Sequence, residues 1–329
     1  MNEDLRLLRK GLWPFSMVYG LATVLRGALF DRGLRAVARV GVPVISVGNL
    51  STGGTGKTPL VIWLVEQAQA RNLRPGVLAR GYGRRKGDAL NDEGKLLARR
   101  FPDLCQVQDP DRVRGARRLV DQEKVDLIIL DDGFQHRRLH RDRDLVCLDT
   151  ADPFAGGLLP VGNLREPPSA LRRAQGVVLT RAGSFVGEAV DRRMAELVTY
   201  CGDGVRFFAA DHVPTRLVEM PGGREVPLES LRDKKVVLLS GIARPDTFAN
   251  LVEELGAAIL AHHRRRDHHL HTPAELEEVS RESTAQGVVL VTTEKDDVKL
   301  GETPFPRWVL ELEFRFLGDA PRWEWLLSQ

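Results

Sequence analysis

From Val40 onward the chain alternates short runs of Val, Leu and Ile with longer stretches in which apolar residues recur every three or four positions. Runs at 43–47, 75–78, 127–130, 145–148, 177–179, 236–239 and 288–291 predict strands, and stretches at 58–71, 112–123 and 245–255 predict helices. Because the strand runs are continuously apolar rather than alternating, they call for burial on both faces. That is the pattern of parallel βαβ units with helices on either side of a sheet. The rhythm lapses between about 205 and 231. There, 205–209, 216–220, a Pro-Gly-Gly turn at 221–223 and 225–228 predict a small antiparallel hairpin connecting two domains.

The N-terminal segment follows a different pattern. Residues 11–25 form an uncharged, mostly apolar stretch between Arg9-Lys10 and Arg26. It is shorter than the ~20 apolar residues a membrane-crossing helix needs, and Pro14, Gly11 and Gly20 interrupt it. A signal peptide is not expected, since no small-x-small cleavage site follows and the region from Arg26 to Arg39 is strongly basic. Two readings remain. One is a helix packed on its domain. The other is an interfacial helix that dips Trp13, Phe15 and Tyr19 into a bilayer while Arg6, Arg9, Lys10 and Arg26 meet anionic headgroups.

The most specific chemistry lies at 44–58, Val-Ile-Ser-Val-Gly-Asn-Leu-Ser-Thr-Gly-Gly-Thr-Gly-Lys-Thr, where a strand runs into a glycine-rich loop and a helix is expected to start at Thr58. Gly53, Gly54 and Gly56 let backbone N–H groups curl around phosphate oxygens. Lys57 reaches the β/γ-phosphates and the Thr58 hydroxyl can ligate Mg²⁺. Candidate nucleotide contacts run from Thr52 through Gly53, Gly54, Thr55, Gly56, Lys57 and Thr58 to Pro59. The loop is a variant of the common phosphate-binding spacing, with Ser51 where a first glycine usually stands. A second strand, ending in Asp131-Asp132, supplies the acids that such a loop needs to orient a metal. Adjacent carboxylates on an extended chain point to different sides, so one is expected to face the cation.

Composition bounds the partners. In 329 residues, 43% hydrophobic and 28% charged, there is material for two domains, and three scattered cysteines give neither a disulfide framework nor a cysteine metal site. A net charge of +3 does not argue for bulk nucleic-acid binding. The 39 Arg against 9 Lys suit planar oxyanions, although genomic base composition produces the same bias. Five of eight histidines fall within 262–271, a tract readable as metal-binding, as a general base paired with a carboxylate, or as a solvated basic loop. Arg80-Gly81-Tyr82, Asn91-Asp92-Glu93 and Arg165-Glu166-Pro167 follow strand ends or glycine-rich turns, where ligand crevices of open α/β sheets form. Rival classes are a GTP-dependent metallochaperone or switch using the His tract, and a nucleic-acid-binding ATPase using the Arg runs at 112–118 and 137–143.

Several motifs together resemble the tetraacyldisaccharide 4'-kinase family. They are Trp13-Pro14, Val47-Gly48-Asn49-Leu50, Gly53-Gly54-Thr55-Gly56-Lys57-Thr58-Pro59, Arg80-Gly81-Tyr82, Asp131-Asp132-Gly133-Phe134-Gln135-His136-Arg137, Arg165-Glu166-Pro167, Ser240-Gly241-Ile242-Ala243-Arg244-Pro245, Asp267-His268-His269 and Thr293-Glu294-Lys295-Asp296. The resemblance implies ATP- and Mg²⁺-dependent phosphorylation of the 4'-hydroxyl of a lipid A disaccharide 1-phosphate, giving lipid IV-A, at the cytoplasmic face of the inner membrane, with no nucleic-acid or protein partner. It also implies a P-loop NTPase-like α/β/α sandwich and a smaller α/β/α domain joined by a two-stranded linker. The expected divisions are an interface helix at 1–30, a nucleotide domain at 31–204, a linker at 205–231 and a closing domain at 232–329.

By the same resemblance, Asp92 and His268 would form the base that activates the sugar hydroxyl, with domain closure required. Lys57 would act on the γ-phosphate, while Thr58, Asp131, Asp132 and Glu166 would hold the metal, and Arg80 and Tyr82 would touch the sugar. This chain departs from the family in reading Asn91-Asp92-Glu93-Gly94 without the usual flanking Gly and Pro. Asp297 replaces a usual alanine and is expected to be peripheral.

Overall fold

The computed structural model describes residues 11–84, 87–185, 187–267, 269, 271–283, 288–301, 303 and 305–328. Two compact units emerge. The first comprises residues up to Gly81, Asp103–His212 and Phe314 onward; the second comprises Tyr82–Pro102 and Val213–Glu313. Each unit is therefore discontinuous in sequence, whereas the expected domains were continuous. Segment 82–102 joins the second unit, and the C-terminal residues from Phe314 return to the first.

In the first unit the strands are β1 (Val44–Gly48), β2 (Pro75–Ala79), β3 (Cys105–Gln108), β4 (Leu127–Asp131), β5 (Arg143–Asp149), β6 (Gly176–Thr180) and the start of β7 (Arg206–Met220). Their order is β7-β6-β5-β1-β4-β2-β3 and every pairing is parallel. β1 and β6 are buried along their whole length, as their unbroken apolar runs require. On one face Leu78, Val107, Ala116, Leu119, Ile128 and Leu130 pack together; another cluster gathers Phe134, Val146, Leu148, Leu171, Val177 and Leu179. The helices are α1 (Trp13–Asp31), α2 (Lys57–Gln69), α4 (Arg112–Asp121), α5 (Gly187–Val198) and α9 (Trp323–Leu327). β4 inserts beside β1 while β5 lies on β1's other side, so the loop leaving β1 opens at the point where strand order reverses.

The second unit repeats the scheme with β9 (Lys235–Ser240), β10 (Ala258–Arg264), β11 (Val288–Thr293) and β12 (Arg307–Phe316), paired in parallel as β10-β9-β11-β12. Along β9, Val236 and Leu238 enter one core with Phe248, Val252 and Val291, and Val237 and Leu239 enter another with Val279, Leu290 and Leu300. Its helices are α3 (Asp92–Arg100), α6 (Pro245–Glu254), α7 (Pro273–Ser283) and α8 (Glu294–Leu300).

The hairpin takes a different form from the expected one. The runs at 205–209 and 216–220 are one 15-residue strand, β7, which pairs in parallel with β6 early on and antiparallel with β8 (Arg224–Val226) at its end. The polar residues between, Asp211, His212 and Thr215, hid this continuity in the sequence. β3, β10 and β12 were not foreseen either, because apolar residues alternate with Gln, Glu and Arg in β3 and β12, and β10 ends in the polar His262-His263-Arg264. Where a solvated loop was one reading of the His tract, His262 and His263 in fact lie on β10.

Candidate active site

The glycine-rich loop is held mostly at its main-chain atoms, by backbone and by side-chain donors from neighbouring segments. Thr52 N donates to Asn163 O at 2.8 Å, and Arg165 N donates to Leu50 O at 2.7 Å. Asn49 Nδ2 reaches Gly53 O and Thr55 Oγ1, Thr180 Oγ1 donates to Thr55 O at 3.0 Å, and Arg181 donates to Gly54 O at 2.6 Å. Gly56 caps α2 in the left-handed region at φ 80°, where a Cβ would come within 3.0 Å of the Thr180 side chain and 3.3 Å of the His212 ring. A side chain is thus excluded there both by backbone conformation and by space. α2 begins at Lys57, one residue before the expected start.

Lys57 Nζ lies 3.4 Å from Asp132 Oδ1, and Arg165 grips the other carboxylate oxygen at 2.8 Å. Burial pushes the Asp132 carboxyl up, but Lys57 and Arg165 more than offset this and hold it below the usual carboxylate range. Of the adjacent acids, then, Asp132 is the one turned towards Lys57. Glu166 accepts from Arg173 at 2.8 Å and from Gln135 at 3.3 Å, and Gln135 Nε2 also donates to Asn49 O.

Arg112, at the first position of α4, is a residue that sequence reasoning missed. It is 4% exposed, its pKa is lowered by burial and by Arg80, and Asp131 and Asp132 oppose that shift. The sequence offered it only as the start of a predicted helix and as part of an Arg run suited to a nucleic-acid-binding rival. The helix that it opens was expected from residue 112, and Asp111 caps it by accepting from Val113 N at 3.0 Å. His136 is driven down to about 4, by burial first and then by Arg112, so it is neutral at physiological pH. Ser46 Oγ, Asn49 Oδ1, Gln135 Oε1, His136 Nε2 and Arg112 Nε are buried without a hydrogen-bond partner. Such atoms call for partners that bound water, an ion or a ligand can supply. Buried oxygens beside two adjacent carboxylates and the Thr58 hydroxyl suit a hard divalent cation with its water shell and a polyphosphate.

α1 packs on this neighbourhood by its small and polar stripe. Ser16 Oγ donates to Leu158 O, Tyr19 Oη donates to Arg165 O at 2.9 Å, Arg26 donates to Gln135 O, and a Cβ on Gly20 would come within 2.8 Å of Leu158. Trp13, Phe15, Met17, Val18, Leu21, Val24 and Leu25 are left 50–68% exposed. Packing on the domain, one of the two sequence readings, therefore occurs, but with the apolar face outward. No helix among the described residues is long and apolar enough to cross a membrane, and Arg6, Arg9 and Lys10 lie outside them.

The remaining candidates belong to the second unit, except Arg80, which follows β2 in the first. Tyr82 is 73% exposed. Asn91 caps α3 by accepting from Gly94 N at 3.0 Å, while its Nδ2 donates to Tyr82 O at 3.0 Å. The cap supplies the local order that the missing Gly and Pro left open, and it places Asp92, 8% exposed, at the first helical position.

α8 acts as a hub: three of its first four residues reach α3, and the other reaches the turn after β9. Glu294 pairs with Arg100, and Lys295 pairs with both Glu93 and Asp267 at 3.0 Å. Asp296 accepts from Gly241 N and Lys299, and Asp297 is clamped between Arg99 and Arg307. Asp297 is 2% exposed, so the expectation of a peripheral residue is corrected. His268 lies outside the described residues. The His tract does not act as a unit: His262 bonds Ser240 and His263 bonds Glu282. His269 shares the Glu275 carboxylate with Thr272 and Arg265.

Residues 8–329 match the model of the LpxK family, described as tetraacyldisaccharide-1-P 4'-kinase. A tetraacyldisaccharide 4'-kinase of Anaeromyxobacter dehalogenans is 43% identical over 85% of this chain and 78% of its own length. That of Geobacter sulfurreducens is 37% identical over 96% and 92%. The crystal structure of LpxK from Aquifex aeolicus in complex with ATP superimposes with a TM-score of 0.74 at 30% identity, covering 94% of this chain and 95% of that one.

Proposed function

Because the chain belongs to the tetraacyldisaccharide-1-P 4'-kinase family, we propose that it transfers the γ-phosphoryl group of ATP to the 4'-hydroxyl of a lipid A disaccharide 1-phosphate. The observation that carries this reading is the main-chain phosphate cradle with Lys57 set against Asp132. The acceptor oxygen attacks the γ-phosphorus, the bridging P–O bond to the β-phosphate breaks, and ADP leaves. Phosphoryl transfer asks mainly for alignment and charge neutralisation. Lys57 and the loop N–H groups supply both on the phosphate side, and Arg112 adds a buried cation. Asp92 with His268 takes the hydroxyl proton. Thr58, Asp131, Asp132 and Glu166 would hold Mg²⁺, whose chemistry is to bridge and neutralise phosphate oxygens. Arg80 and Tyr82 are the proposed sugar contacts.

A lipid acceptor also gives the outward apolar face of α1 a partner. Trp13, Phe15, Val18 and Leu21 would enter the bilayer interface, with exposed Arg26, Arg32, Arg35 and Arg39 near the headgroups, as a peripheral contact at the cytoplasmic face of the inner membrane.

The test is phosphate transfer from labelled ATP or GTP, with and without the lipid disaccharide, scored as phosphorylated lipid. ATP with acceptor should give product, and consumption of GTP without lipid product would sink the reading. Asp92→Ala and His268→Ala should each lower kcat by roughly 10²- to 10⁴-fold, and near wild-type turnover would remove them as the base. Deleting residues 1–25 should reduce binding to anionic vesicles; unchanged binding would remove the interface role.

A further inference from the structure

Lys295 occupies an unusual position in the second unit. Three ion pairs dock α3 on α8: Arg99 with Asp297, Arg100 with Glu294 and Lys295 with Glu93. The first two join helix to helix. Arg100 also donates to Leu312 O and Asp297 also binds Arg307, which ties the pair to β12. Lys295 instead extends its second contact, at 3.0 Å, to Asp267 Oδ1. Its two partners are the chain neighbours of the two residues assigned above to proton abstraction: Glu93 follows Asp92, and Asp267 precedes His268.

We infer that Lys295 is a positioning residue for the acceptor-activating base, a bracket that ties Asp267, the residue before His268 in sequence, to Glu93 on the helix bearing Asp92. The inference rests on the kinase reading above and on its assignment of that pair. The bracket is well suited to the task. Its ammonium is largely enclosed, its side chain being 23% exposed, between carboxylates that are 20% and 31% exposed. Burial would lower its pKa, yet Glu93 and Asp267 raise it on balance, so the charge that makes both contacts persists at neutral pH. A compact ammonium with three donors can serve two carboxylates at once. Misplacing a reacting group by about 1 Å costs on the order of 100-fold in rate, so loosening one loop is enough to be seen.

The experiment compares full-length wild type with Lys295→Met, Lys295→Arg, Glu93→Gln, Arg99→Met and Asp92→Asn. Each is assayed by lipid phosphorylation at saturating acceptor, with KM for ATP and thermal melting measured alongside. Lys295→Met should lower kcat by roughly 100-fold with KM for ATP nearly unchanged, because the nucleotide cradle lies in the first unit. Lys295→Arg should recover part of the loss, and Glu93→Gln, which breaks one contact only, should lose less. Arg99→Met should lower the melting temperature while keeping most of kcat, since it removes a helix clamp without touching Asp267. Should Lys295→Met fail to fold, the Arg and Gln variants carry the same comparison. If Asp92→Asn loses activity while Lys295→Met does not, or if Arg99→Met loses kcat as fully as Lys295→Met, the bracket is overturned and the base assignment stands. Full activity in Asp92→Asn would overturn both.

Discussion

The phosphate loop of the first unit is held mostly at its own main-chain atoms, by backbone and by uncharged or charged side chains from neighbouring segments, whereas the acid-bearing helix of the second is held through its side chains. Around the loop, Thr52 N and Arg165 N make backbone bonds, and the Thr180 hydroxyl and the Arg181 guanidinium donate to the loop carbonyls Thr55 O and Gly54 O. Around α3, Arg99, Arg100, Glu93 and Asn91 do the holding. A cradle held at its main-chain atoms follows from glycine spacing and strand order, so it tolerates change of its own side chains better than change of the Asn49, Thr180 and Arg181 donors. A side-chain-held helix depends on each partner, and so it is open to stepwise adjustment and to stepwise loss.

The sharpest way to break this comparison is Lys57→Met. Lys57 contributes nothing to the cradle's main-chain bonds, and Asp132 keeps Arg165 when it is removed. Turnover should fall by roughly 10³-fold, the scale expected for losing a charge donor to a transition state, while the melting temperature stays close to wild type. A large loss of stability would show that the loop depends on its lysine after all.

A smaller effect concerns pH. His212, against Gly56, and His136, beside Arg112, are both held at about 4, chiefly by burial. His262 and His271 in the second unit are lowered as well, again mainly by burial. For His212 the folded value lies below the ordinary 6.5, so stability is fully present above that pH and is lost as pH falls towards 4. By pH 5 the protonation of His212 alone has cost about 2 kcal/mol of stability relative to pH 7 and above. Hydrogen exchange at pH 5 against pH 7 should therefore speed up around β6 and β7, and His212→Gln should flatten that response. An unchanged slope in the variant would show that His212 is not the titrating group.

The same difference in construction explains what could be read from sequence. β1, the glycine loop and β4 ending in Asp131-Asp132 were legible because strand, turn and acid are contiguous and follow a fixed local geometry. α3's attachments were not, since Arg99 and Arg100 find partners 198 and 194 positions away. Nothing local marks Asp297 as buried between two arginines, so a substitution in a known motif looked peripheral. β7 was split into two because its middle carries Asp211, His212 and Thr215 while the strand passes from one neighbour to another. Arg112 was hidden among other arginines, and only its buried position distinguishes it. α1 was ambiguous for the opposite reason: its apolar pattern was plain, but which face packs was decided by Ser16, Tyr19 and Gly20, whose partners lie at 158 and 165.

The smallest effect separates the two constructions most directly. Asn91 and Thr52 are both polar residues at the edge of a functional loop, and both make a side-chain bond. Thr52 Oγ1 donates weakly to Asn163 O at 3.3 Å, but its backbone N makes the 2.8 Å bond to the same oxygen, which Thr52→Ala retains. Asn91 bonds Gly94 N and Tyr82 O through side-chain atoms, which Asn91→Ala removes. Asn91→Ala should cost about 1 kcal/mol of stability, as for loss of a helix N-cap, and should lower kcat because Asp92 sits on the uncapped turn. Asn91→Asp keeps the acceptor for Gly94 N and should recover most of the stability. Thr52→Ala should leave both quantities within a few tenths of a kcal/mol. Equal losses in Asn91→Ala and Thr52→Ala, measured by denaturant unfolding and kcat together, would mean that the cradle relies on its side chains as much as α3 does.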